Sequence, residues 1–145
     1  ENINLIQNKA WQKEISIDSD TEGVAEAYAD KNMLSTILRN LLTNAIKFTP
    51  SNGHIRIFAG EQDKDHIKIS VIDNGVGIAK EDIPKIFDLT SHFTTSGTDS
   101  EEGTGLGMVL CKDFVKKNHG TIWLESEKGK GSAFHFTLPK AESVA

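Results

Sequence analysis

The sequence contains a single cysteine, Cys111, which excludes an internal disulfide and any metal site built from several cysteines. No apolar run approaches the roughly 20 residues that a transmembrane helix needs, and the N-terminus lacks the basic-then-apolar pattern of a signal peptide. Basic residues number 16 against 21 acidic ones. This balance argues against duplex nucleic acid as the main ligand, because affinity for the duplex comes largely from Lys and Arg. We therefore expect a cytoplasmic domain in a reduced environment, whether or not the parent protein is anchored in a membrane.

The length of 145 residues suits one domain, and the apolar periodicity predicts an alternation of strands and helices. The order is strand, helix, two strands, helix, lid, helix and hairpin. The predicted elements are a strand at 14–18, a helix at 31–48, strands at 55–59 and 67–72, helices at 79–87 and 105–118, and strands at 121–127 and 132–138. Residues 88–104 are rich in Ser and Thr and are predicted to form a long lid. Packing the helices on one face of a mixed, mostly antiparallel sheet would bury the apolar residues of all these elements, so we expect an α+β two-layer sandwich.

The first predicted helix carries a narrow polar stripe of Asn40, Asn44 and Lys47, which share one face at helical spacing. Two carboxamides and an ammonium in line can hold a hydrated divalent cation beside an anionic group. Magnesium keeps several waters and takes few protein oxygens, often alongside substrate phosphates. An ordinary solvated helix face remains the alternative for this stripe taken alone.

A second pattern places Asp73 at the end of an apolar strand, followed by Gly75, Gly77 and Ile78. The glycines allow a ligand to approach the backbone closely. A carboxylate beside an apolar floor can accept a hydrogen bond from an exocyclic amine such as adenine N6. The alternative is a simple Asp-Asn-Gly turn.

A third pattern, Gly103-Thr104-Gly105-Leu106-Gly107-Met108, opens the second long helix. Glycines at a helix N-terminus leave amide N–H groups free for phosphate oxygens, and the helix dipole favours the same charge. The spacing matches neither the dinucleotide-binding fingerprint nor the P-loop, so neither of those routes to nucleotide binding is supported.

The three patterns together resemble the catalytic ATP-binding domain of bacterial sensor histidine kinases, in the GHKL superfamily with gyrase-type ATPases, MutL repair proteins and the ninety-kilodalton heat-shock chaperone. Residues 40–49 resemble the N box, 73–77 the G1 box, Phe87 with Phe93 the F box, and 103–107 the G2 box. The likeness runs from about residue 15 to residue 139. It implies a Bergerat fold that binds ATP and Mg²⁺ between the N-box helix and a mobile lid.

The resemblance also implies roles by position. Asn44 would ligate Mg²⁺, Lys47 would contact phosphate, and Asp73 would recognise adenine. Asn40 and Lys47 are the candidates for a catalytic role. The implied ATP-binding residues are Asn40, Asn44, Lys47, Asp73, Gly75, Gly77, Ile78, Thr104, Gly105, Leu106 and Gly107.

One position separates members of the superfamily. Gyrase-like ATPases carry a water-activating glutamate four residues before the magnesium asparagine, and here that position is Asn40. A carboxamide is no general base at neutral pH, so hydrolysis should be slow and the phosphoryl group held for another acceptor. This favours a kinase. A GHKL-type ATPase, an anti-sigma-factor-like serine kinase and a binding module that has lost nucleotide are the alternatives.

The acceptor histidine of the family lies in a segment upstream of the catalytic domain, and none of the five histidines here has its sequence context. We therefore divide the chain into a junction, residues 1–14, and the catalytic ATP-binding domain, residues 15–145. The expected partners are the protein's own dimerisation and phosphoacceptor domain and the receiver domain of a response regulator. We expect no nucleic acid, no membrane contact by this domain, and a monomer when it is isolated.

Overall fold

A computed structural model describes residues 14–20, 31–86 and 107–140, and the structural statements below concern these residues. Five strands and two α-helices are present in them. The strands are β1 Ser16–Asp20, β2 His54–Glu61, β3 His66–Asp73, β4 Ile122–Glu127 and β5 Gly131–Pro139. The helices are α1 Lys31–Phe48 and α2 Gly107–Lys117, with a 3₁₀ turn at Ile83–Lys85.

The strands form one sheet in the order β1-β2-β3-β5-β4. β1 runs parallel to β2, and every other neighbouring pair is antiparallel. The turn between β2 and β3 is closed by Asp63, whose Oδ1 accepts the backbone N–H groups of Asp65 and His66 at 2.8 Å each. The register places Asp73 of β3 opposite Ser132 of β5. The predicted mixed, mostly antiparallel sheet is confirmed.

One face of the sheet is apolar and the helices pack against it. Along β2 the buried Ile55 and Ile57 alternate with the exposed Arg56 and Phe58, as expected for a strand with one covered face. Both helices contact the sheet and each other. The fully buried side chains of the helices are Ile37, Leu41, Leu42, Ala45, Cys111 and Val115. The core therefore lies between the helix pair and the sheet, and the predicted two-layer sandwich is confirmed.

Local hydrogen bonds explain where the helices end. At the end of α1, Thr49 Oγ1 donates to the carbonyl of Ala45 at 2.6 Å, and Pro50 cannot continue the helix. After α2, the N–H of Gly120 donates to Val115 O at 2.9 Å and the N–H of His119 to Lys116 O at 3.0 Å. This is a Schellman cap, and His119 supplies its left-handed residue with φ of 65°.

The type of one predicted secondary-structure element is wrong. Residues 79–86 form turns and the 3₁₀ turn Ile83–Lys85 rather than the α-helix predicted at 79–87. Pro84 explains the difference, because it has no N–H to donate and it disfavours the α conformation at Ile83.

Several predictions fall outside the described residues. These are the junction at 1–13, the lid at 88–104, the aromatic pair Phe87 and Phe93, and the glycine-rich residues 103–106.

Candidate functional site

The end of α1 and the loop that follows β3 are in direct backbone contact. The N–H of Val76 donates to the carbonyl of Phe48 at 3.0 Å. A Cβ added at Gly75 would lie 2.2 Å from the same carbonyl oxygen, so only glycine fits there. The contact brings the first two sequence motifs together, because Asn44 and Lys47 occupy the last turns of the helix. The Lys47 ammonium lies 5.1 Å from the centre of the Phe48 ring.

Asp73 is a buried carboxyl group held in one orientation. Its side chain is 6% exposed, at the end of β3. Oδ1 accepts the N–H of Gly75 at 2.9 Å and the N–H of Ser132 at 3.3 Å. Within the described segments no hydrogen bond reaches Oδ2. Burial raises the pKa of Asp73, and the two N–H donors oppose this shift. The group is therefore fixed through Oδ1, while Oδ2 has no hydrogen bond within the described segments.

The loop after β3 also lies against the β4–β5 hairpin. Gly77 has φ of 73°, and a Cβ there would lie 2.1 Å from the carbonyl oxygen of Glu127. The N–H of Gly129, in the hairpin turn, donates to Val76 O at 2.7 Å. Two backbones approach each other here without side chains between them. Gly75 and Gly77 are thus required by close backbone packing on the two sides of this loop, and their role in nucleotide binding stays a prediction.

Two serine hydroxyl groups connect the hairpin to this loop. Ser126 Oγ accepts the N–H of Ile78 at 2.8 Å and donates to the carbonyl of Gly131 at 2.9 Å. The same oxygen lies 2.7 Å from Ser132 Oγ. Sequence reasoning did not select either serine. The strand pattern could have pointed to them, because each serine lies on the helix-covered face of its strand, where the other residues are apolar.

Asn40 is oriented toward the second helix. Its side chain hydrogen-bonds the thiol of Cys111, whose Sγ also donates to the carbonyl of Ile37 at 3.7 Å. Burial raises the pKa of Cys111 to about 12, and the Asn40 hydrogen bond opposes part of that rise. Cys111 is therefore a packing residue with an unreactive thiol. The nucleotide role of Asn40 stays a prediction.

The remaining site residues are described only in part. Ile78 is buried directly after Gly77, and its predicted part in ATP binding stays a prediction. Gly107 begins α2, while Thr104, Gly105 and Leu106 lie outside the described residues. No group of three or more His, Cys, Asp or Glu side chains in the described segments is placed to hold a metal ion. None of the helices described here is long and apolar enough to cross a membrane.

Comparison with known proteins assigns the family. The sequence model of the family described as "Histidine kinase-, DNA gyrase B-, and HSP90-like ATPase" matches residues 29–142. The match covers most of the chain, so the chain belongs to this family. The predicted resemblance is confirmed, and ATP is confirmed as the nucleotide at the level of the family.

Particular relatives are sensor kinases. The adaptive-response sensory kinase SasA of Synechocystis sp. is 35% identical over 138 residues, which are 94% of this chain and 36% of SasA. The chain thus spans about a third of the length of the SasA relatives it matches.

Solved histidine kinases share the fold. The catalytic domain of ThkA matches with a TM-score of 0.80 and 30% identity, covering 96% of this chain and 89% of that one. ThkA in complex with the response regulator TrrA matches at 0.75 with 27% identity, covering 99% and 40%. Full-length ShkA in complex with AMPPNP matches at 0.80 with 29% identity, covering 97% and 28%.

Proposed function

We propose that this domain binds Mg-ATP and transfers the γ-phosphoryl group to a histidine outside this chain, for relay to the receiver domain of a response regulator. The observation that carries the proposal is the fixed, buried Asp73 carboxyl group with one open oxygen. The similarity to SasA, to AMPPNP-bound ShkA and to ThkA with its response regulator supports the same reading.

The chemistry of adenine recognition follows from the geometry of Asp73. Oδ1 is held by two backbone N–H groups, so Oδ2 is the oxygen available to accept a hydrogen bond from the 6-amino group of adenine. Gly75 and Gly77 let the loop pack closely against the carbonyl groups of Phe48 and Glu127, which fixes the backbone beside Asp73. Ile78 supplies apolar surface beside it. A buried acceptor of this kind recognises an amine strongly because its hydrogen bond forms away from water.

The phosphate end of the site would be held by Asn44, Lys47 and the start of α2. Mg²⁺ is satisfied by one protein oxygen together with waters and phosphate oxygens, so Asn44 is a sufficient protein ligand. The lack of a carboxylate cluster in the described residues fits this mode of binding. The Mg²⁺ ion, when bound, supplies charge neutralisation at the phosphates. The amide groups of residues 105–107 and the hydroxyl group of Thr104 would face the phosphates.

The side chain at position 40 favours transfer to a protein acceptor over hydrolysis. The Asn40 carboxamide cannot take a proton from water at neutral pH, and its hydrogen bond to Cys111 holds it against α2. None of the five histidines has the sequence context of the family's acceptor. His135 is also buried, with its ring hydrogen-bonded to Ser70. The acceptor is therefore sought in another part of the parent protein.

Calorimetric titration tests the nucleotide site. We expect the chain to bind ATP in millimolar Mg²⁺ and the Asp73→Asn variant to bind roughly 10- to 100-fold more weakly, the value of one hydrogen bond to a charged group. The matched control is Asp113→Asn, which removes an exposed carboxylate paired with Lys117 on α2. Equal loss in both variants, or no binding by the wild type, would overturn the proposal.

Phosphate transfer distinguishes the remaining functions. With γ-labelled ATP and a histidine-containing acceptor domain supplied in trans, we expect an acid-labile, base-stable label on the acceptor. An acid-stable phosphoserine would indicate a serine kinase of the anti-sigma-factor type. Rapid release of inorganic phosphate without an acceptor would indicate a GHKL-type ATPase.

A further inference from the structure

The hydroxyl group of Ser126 has one proton, and its surroundings determine where that proton points. The carbonyl of Gly131, 2.9 Å away, can only accept, so Ser126 must donate to it. The N–H of Ile78, 2.8 Å away, can only donate, so it occupies one lone pair of Ser126 Oγ. One lone pair then remains, and Ser132 Oγ lies 2.7 Å away to fill it.

The bonds of Ser126 determine the direction of its hydrogen bond with Ser132. Since Ser126 has no proton left for Ser132, the Ser132 hydroxyl must be the donor of the bond between them. Its proton is directed at Ser126, and its oxygen presents only lone pairs to the remaining surroundings. In the described segments Ser126 is the hydrogen-bond partner of Ser132 Oγ.

Ser132 is the cross-strand neighbour of Asp73, with its backbone N–H donating to Asp73 Oδ1 at 3.3 Å. Directly opposite side chains on one face of a sheet lie about 5 Å apart at Cβ. Asp73, Ser126 and Ser132 line one cavity, so the open Oδ2 of Asp73 and the oxygen of Ser132 are two hydrogen-bond acceptors on the same wall. While the Asp73 carboxyl group is ionised, neither oxygen can donate a hydrogen bond to a ligand.

We infer that Ser126 is a positioning residue that fixes Ser132 as an acceptor and thereby selects 6-amino purines over 6-oxo purines. The inference rests on the proposed nucleotide-binding function. A 6-amino group has two protons and satisfies both acceptors, directly or through one bridging water. A 6-oxo group is itself an acceptor and meets two further acceptors, which leaves buried polar atoms unpaired. Sites of this kind discriminate strongly, because the wrong ligand leaves their polar groups without partners.

The experiment compares the dissociation constants of ATP and ITP for wild type, Ser126→Ala, Ser126→Thr and Ser70→Ala. Removing the Ser126 hydroxyl frees the Ser132 proton to rotate and donate to a 6-oxo group. We expect the preference for ATP over ITP to narrow about tenfold in Ser126→Ala. Ser126→Thr keeps the hydroxyl and should keep the wild-type ratio. Ser70→Ala removes a buried hydroxyl from the other face of the sheet and should leave the ratio unchanged.

The outcomes distinguish two roles of Ser126, orienting the Ser132 hydroxyl group and merely supporting the loop. If Ser126→Ala weakens both nucleotides by the same factor, Ser126 merely supports the loop and the inference is overturned. If Ser126→Ala does not fold, Ser132→Ala removes the oriented acceptor itself, and an unchanged ratio in that variant overturns the inference equally. If the wild type binds ATP and ITP equally well, the inference is refuted and the proposed function stands. A wild type that binds neither nucleotide refutes the proposed function as well.

Discussion

The contact between the loop after β3 and the β4–β5 hairpin can be tested with two glycines that share a backbone conformation. Gly77 and Gly129 have φ of 73° and 88°. A Cβ at Gly77 would lie 2.1 Å from the carbonyl oxygen of Glu127, whereas a Cβ at Gly129 would meet no atom within 4 Å. Replacing either glycine by alanine imposes the same left-handed strain. The difference between the two variants therefore isolates the steric contact.

The magnitudes follow from the structure. Gly129→Ala should lower the free energy of unfolding by about 1.5 kcal/mol, the left-handed penalty of an L-residue. Gly77→Ala carries the same penalty plus about 2 kcal/mol of overpacking against a backbone carbonyl. It also weakens the Gly129-to-Val76 bond at a further cost of about 1 kcal/mol, which brings the total to about 4.5 kcal/mol.

Urea unfolding measures this difference. With m near 2 kcal/mol/M, the midpoints of the two variants should differ by roughly 1.5 M, with m unchanged. Equal midpoints would refute the reasoning, because they would mean that the backbones of the loop and the hairpin are not in contact in solution.

Three further predictions concern titratable groups. Burial raises the pKa of Asp73 above 3.8, so the free energy of unfolding falls as the pH rises above that value and the buried carboxyl group ionises. Asp73→Asn should therefore be no less stable than wild type to urea at pH 7, and a marked loss of stability would contradict this. Burial lowers the pKa of His135 below 6.5, Lys68 adds to that shift, and Glu125 opposes it. Its contribution to stability is therefore present above 6.5 and lost as the pH falls, so His135→Gln should flatten the stability profile between about pH 5 and 7. The buried Cys111 thiol, with its pKa near 12, should react with Ellman's reagent only after unfolding, and rapid reaction of the native protein would contradict that.

The elements that the sequence predicted well are those with local causes. The helix at 31–48 agrees with α1 at both ends, because its periodicity is continuous and Thr49-Pro50 terminates it. The strands agree to within about two residues. The turn at 83–85 was missed although its cause was local too, since Pro84 outweighs the helical pattern around it.

The parts that sequence reasoning could not reach depend on contacts between distant residues. Asp73 was predicted from the motif, but the tie of its Oδ1 to the backbone of Ser132 requires the pairing of β3 with β5. Ser126 lies 48 residues from Ile78, and no local pattern connects a serine of one strand to a loop that far away. The partners of a polar side chain become known only when the register of the sheet is known.

The position of β5 has a consequence for the synthesis of the protein. It is the last of the described strands, yet it lies between β3 and β4, and it supplies one of the two backbone N–H groups that hold Asp73. A nascent chain emerges from its N-terminus at about 5–20 residues per second. Until residue 132 has been synthesised and has left the ribosome, β4 lacks its neighbour and the Asp73 carboxyl group lacks one of its two backbone donors. A growing chain therefore fixes this carboxyl group only after β5 has inserted between β3 and β4, so the ordering of Asp73 reports that the described sheet has assembled.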